Sequence, residues 1–70
     1  MKNGFAYRLN VALDATCMTQ TELSIKTGID RDHINHIVRG RRKPRMEILE
    51  KLLVALPHID ARWLITGVKK

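Results

Sequence analysis

TQTELSIKTGIDRDHINHIVRGRRKP, residues 19–44, contains two apolar-patterned segments separated by Gly28 and followed by a run of cations. Thr19, with Glu22 three positions on, is the reciprocal capping pattern that starts a helix. Gly28 breaks that helix, and Asp30 stands where a second one can be capped. The second helix is expected from about Arg31 to Arg39, stopping at Gly40, a residue suited to the left-handed backbone after a helix end. Apolar residues fall where two short, steeply crossed helices must touch: Leu23 in the first, Ile34 and Ile37 beneath the second, Ile29 in the corner between them. Ser24 is small, as a residue lying under the crossing helix should be. Two short helices joined by a tight glycine turn make a helix-turn-helix.

Outward from this stretch the chain continues in helical periods. Between about Gly4 and Ala15, Phe5, Leu9, Ala12 and Leu13 recur at helical spacing, with Tyr7, Arg8, Asn10 and Asp14 off that stripe. Pro44 is expected to open a further helix on which Ile48, Leu49, Leu52, Leu53 and Leu56 form a broad apolar face, ended by Pro57. A last short helix, Asp60 to Thr66, carries Trp63, Leu64 and Ile65 before Gly67. No segment shows the two-residue alternation of a strand, so the expected fold is all-α, with five helices. With 70 residues, one domain over 1–70 is expected: the two-helix unit at about 19–39, a basic loop at 40–45 and C-terminal helices at 46–67. The closing Val68-Lys69-Lys70 is expected to be mobile.

Thirteen Lys and Arg against seven Asp and Glu give a net charge of +6, which favours a polyanionic partner over an acidic small substrate. The single Cys17 can form neither an internal disulfide nor a cysteine metal site. It is expected to be a buried thiol in a reducing, cytoplasmic setting. The N-terminal stretch lacks the apolar run of a signal peptide, and no segment has the length of a membrane span. His33 and His36 lie one turn apart, but no third convergent ligand completes a zinc set, and no cofactor is expected. No nucleophile, base and orienting group form a catalytic arrangement, so the chain reads as a non-enzyme.

The surface of the second helix of the unit carries the functional signal. At about 100° per residue, with Ile34, Ile37 and Val38 inward, Asp32, His36 and Arg39 fall on the opposite pole, flanked by Arg31 and Asn35. All five can hydrogen-bond. Arg31 suits guanine, Asn35 adenine or a phosphate, and His36 a guanine or thymine acceptor. Asp32 has two uses open: accepting from cytosine, or orienting Arg31 or Arg39. Arg41, Arg42, Lys43 and Arg45 cluster in the following loop, where phosphate contact explains them better than a solvated run. The N-terminus of the preceding helix favours a phosphate of its own, and Thr19 and Thr21 are expected to assist that contact. Trp63, Ile65 and Val68 are a large apolar payload that either caps the core or packs on a second copy, with Leu64 expected inside.

The chain resembles the lambda-repressor and Cro-like family of helix-turn-helix regulators, often called the XRE family. Arg8-Leu9 is similar to the family's first-helix RL. MTQTELSIKTGI resembles its L-T-Q-x-E-L-A-x-x-T-G-I, GRRKPR its G-x-R-x-P loop, and WLITG its W-L-L-T-G close. Leu13 and Val38 depart from the pattern, standing where many members pair an arginine with a glutamate. The resemblance implies a compact five-helix DNA-binding domain. It also implies that Gln20 contacts a phosphate and buttresses the reading helix, and that a homodimer binds a near-palindromic double-stranded operator, most often as a repressor. Two further functions stay open: the DNA-binding antitoxin of a toxin pair, and a helical protein-docking module. No membrane partner is expected.

Overall fold

The computed structural model describes residues 4–68, and these form five helices and no strand. They are α1 (Phe5–Ala15), α2 (Gln20–Thr27), α3 (Arg31–Val38), α4 (Met46–Ala55) and α5 (Ala61–Thr66). The all-α expectation is thereby met. Lys69 and Lys70, expected to be mobile, lie outside the described residues.

The core forms where the apolar stripes converge. Leu9, Leu23, Ile34, Leu52 and Leu64, one from each helix, have no exposed surface at all. Each such side chain contributes about 1.5–3 kcal/mol by leaving water. Leu13 and Val38 belong to the same buried cluster, an apolar solution that leaves no ion pair to desolvate. α2 packs on α3 and α4, while α1 packs on α3 and α5. The helix-turn-helix is thus backed by α1 on one side and α4 on the other.

Local chemistry sets the helix ends. The Thr19 hydroxyl accepts from the Glu22 N–H at 3.1 Å, and the Glu22 carboxylate accepts from the Thr19 N–H at 2.8 Å, completing the capping box. Gly28 ends α2 at φ +75° with nothing within 4 Å of where a Cβ would stand, so its glycine is needed for conformation and not for space. Asp30 occupies the N-cap position of α3 but makes no side-chain cap bond, contrary to expectation. Its carboxylate does not fold back on the helix. Pro44 lies two residues before α4, whose N-cap is Arg45; the proline shapes the approach to the helix and does not occupy its first turn.

Two polar residues of α1, expected off its apolar stripe, reach the ends of other helices. Arg8 is buried, its Nε donating to the Leu64 carbonyl at 2.8 Å and Nη2 to the Ile65 carbonyl at 2.9 Å. A cation here meets the negative end of α5 and bonds carbonyls that have no partner within the helix. Asn10 does the same for α3, donating from Nδ2 to the Val38 carbonyl at 2.9 Å. One helix therefore caps the C-terminal ends of two others.

Cys17 is exposed and not buried. It sits at φ +56°, directly after the C-cap of α1. The Cys17 N–H donates to Asp14 and the Met18 N–H to Leu13, the paired bonds of a Schellman ending. That geometry turns the thiol outward.

Candidate nucleic-acid interface

The turn between α2 and α3 leaves little backbone to move. Gly28 N–H donates to the Ser24 carbonyl at 2.8 Å, and Ile29 N–H to the Thr27 hydroxyl at 3.1 Å. The Ser24 hydroxyl donates to the Ile29 carbonyl, while the buried Ile29 side chain fills the corner. Polar groups in the turn are satisfied locally, so the angle between the helices is held by bonds as well as by packing.

From this base α3 presents its polar side. Ile34, Ile37 and Val38 are buried beneath it, and Arg31, Asp32, His36 and Arg39 are exposed. Asn35 is half-buried because it leans toward α2: its Nδ2 donates to the Gln20 Oε1 at 3.1 Å. Arg31 is drawn to the same side, donating from Nη1 to the Thr21 hydroxyl at 3.3 Å. The five expected reading residues thus divide into two sets. Arg31 and Asn35 are tethered to the start of α2, whereas Asp32, His36 and Arg39 project freely at positions i, i+4 and i+7. Neither tether was visible in the sequence, since each joins side chains on different helices.

Asp32 forms no ion pair among the described residues, so it does not orient Arg31 or Arg39. The hydroxyl of Thr21 takes that role for Arg31. Gln20 keeps its own amide N–H groups free at the α2 N-terminus, where an anion is favoured. Thr19 uses its oxygen in the capping box but remains exposed.

The basic loop continues directly from α3. Gly40, at φ +78°, takes the left-handed position of a second Schellman ending, its N–H donating to Ile37 and that of Arg41 to His36. Arg41, Arg42, Lys43 and Arg45 are all exposed and unpaired by any carboxylate among the described residues. Arg42 and Lys43 border a groove of about 240 Å³ against Phe5 and Ala6 of α1, which sets the loop against the body of the domain.

Away from this face, Leu64 is fully buried as expected. Trp63 is half-buried over a groove of about 310 Å³ lined also by Val11, Ala15, Ile59 and His58, while Ile65 and Val68 are exposed. His33 is half-buried at the edge of α3. Among the described residues no three His, Cys, Asp or Glu side chains gather as a metal site, and no helix is long and apolar enough to cross a membrane.

A family model described as helix-turn-helix matches residues 18–64. Three curated proteins are similar over 63 residues at 40% identity: the HTH-type transcriptional regulators for the conjugative elements R391 of Providencia rettgeri, SXT of Vibrio cholerae and pMERPH of Shewanella putrefaciens. The match takes in 86% of this chain but only 27% of each relative, so the chain spans about a quarter of their length. No solved structure gave a significant match.

Proposed function

The chain belongs to the XRE-type helix-turn-helix family, and from that premise we propose that it is a sequence-specific double-stranded DNA-binding regulator of transcription, acting as a repressor in the cytoplasm. The observation that carries this reading is the exposed side of α3, where Asp32, His36 and Arg39 project together and the exposed cations Arg41, Arg42, Lys43 and Arg45 follow in the next loop. An α-helix fits the major groove, and short polar side chains at one helical spacing match base edges. Arg41, Arg42, Lys43 and Arg45, with Gln20, Thr19 and Thr21 at the α2 terminus, hold phosphates on either side of the reading helix. Arg45 supports this assignment in a second way. A cation at the N-cap of α4 opposes that helix's own dipole, so it gains more from a phosphate than from its helix.

Dimerisation through Trp63, Ile65 and Val68 would set two reading helices about 34 Å apart on a near-palindromic operator. The antitoxin reading draws on Ile25 and Val54, which are 77% and 79% exposed. Val54 borders a groove with Lys26, Glu50 and Lys51, and Ile25 a separate one with Cys17, Met18 and Glu22, so each offers a toxin only a small apolar surface and the regulator reading is preferred.

Selection from random duplexes tests the function. A recovered two-fold motif, bound with strong salt dependence, supports it. A chain that enriches no sequence contradicts it.

A further inference from the structure

The free stripe on α3 contains one group that is out of place on a DNA-facing surface. Asp32 is exposed on a chain of charge +6, with Arg31 beside it, yet it pairs with none of the surrounding cations. Arg31, the nearest in sequence, is bonded to Thr21 instead. An ionised carboxylate accepts hydrogen bonds and donates none. In the major groove, guanine presents two acceptors and thymine one, so both repel it. Cytosine's own edge presents the amino group alone, with guanine O6 across the pair, whereas adenine carries the N7 acceptor beside its amino group on the same base. A free carboxylate at that place therefore has one well-matched base.

Resting on the regulator reading above, we propose that Asp32 is a specificity-determining residue, which selects cytosine at one position of each half-site and raises the free energy of docking on other sequences. Two effects act together. The cytosine amino group gives Asp32 a donor, whereas on guanine or thymine the carboxylate is left desolvated near phosphates without one, and on adenine the donor comes with the repulsion of N7. His36 and Arg39, on the same stripe, supply donors to acceptor-bearing bases along the groove. Thr21 and Gln20 hold Arg31 and Asn35 aside, so neither cation nor amide neutralises the acid.

Parallel selections with the wild-type chain, Asp32→Asn and Asp32→Ala, followed by competition titrations, test this. The wild type is expected to recover one cytosine per half-site whose replacement by thymine weakens binding at least about fivefold. Asp32→Ala should lose preference at that position alone and bind non-cognate duplex more tightly. Asp32→Asn should shift the preference there toward adenine, which an amide matches. Motifs identical in all three proteins would overturn the assignment while leaving the regulator reading intact. So would a variant that loses preference at every position together with its thermal unfolding midpoint, since Asp32 would then act only on the positive end of α3. A wild type that enriches no motif overturns both.

Discussion

Asn35 donates a hydrogen bond from Nδ2 to Oε1 of Gln20 at 3.1 Å, joining the middle of α3 to the first residue of α2. The two side chains lie fifteen residues apart in sequence, and the bond ties the polar face of α3 to the N-terminus of α2.

If that bond orders both groups for DNA, replacing them singly and together should be non-additive. Gln20→Ala and Asn35→Ala are each expected to weaken binding, with the double variant losing less than the sum by about 0.5–1 kcal/mol. Binding titrations of the four proteins on one selected duplex give the coupling directly. A coupling of zero would mean that the two residues act separately.

Arg8 should matter to stability far more than an off-stripe arginine ordinarily does. Arg8→Met keeps much of the apolar stem but leaves the Leu64 and Ile65 carbonyls without their donor. The expected loss is about 2–3 kcal/mol, read from urea unfolding. Arg8→Lys should recover only part of it, because a point charge does not reproduce the planar fork. A loss under about 0.5 kcal/mol, the range of ordinary surface substitutions, would show that α5 needs no such cap.

Cys17 and Gly40 occupy the same place in two Schellman endings but differ in side chain. A Cβ at a left-handed residue costs roughly 1 kcal/mol. Cys17→Gly is expected to raise stability by about 0.5–1 kcal/mol, and Gly40→Ala to lower it by about 1 kcal/mol. At Gly40 the added carbon would meet Ala6 at 3.7 Å, ordinary contact, so the effect there is conformational. Opposite signs in thermal unfolding confirm the pairing, and equal signs contradict it.

These cases show what the sequence made legible. Thr19, Glu22 and Gly28 act within a few residues of one another, and the capping box and turn could be read from spacing alone. The buried stripe, Leu9 to Leu64, followed from periodicity. Arg8 and Asn10 could not be placed this way, because a helical wheel sorts them as polar while their partners lie 56 and 28 residues away. Cys17 carried no glycine to announce a left-handed ending, and its type suggested burial. In the interface the candidate residues on α3 and in the loop were legible from side-chain chemistry, but not the tethers that separate Arg31 and Asn35 from the free stripe.

Ile65 and Val68, which with Trp63 make the proposed contact with a second copy, are 43% and 53% exposed. Ile65→Asp is expected to leave the monomer folded and to abolish dimer formation, since a charge at the centre of an apolar contact remains desolvated. Sedimentation with and without operator duplex checks this. Unchanged assembly would place the two-fold contact elsewhere.

The exposed α3 face and the cations from Arg41 to Arg45 are proposed to act as one DNA-docking surface, and salt dependence on a selected duplex measures that surface most directly. With roughly six phosphates engaged per subunit, the log–log slope of affinity against salt should lie near about −5, and Arg42→Ala should make it shallower by about 1. A slope near zero, unchanged by Arg42→Ala, would contradict DNA docking through this face.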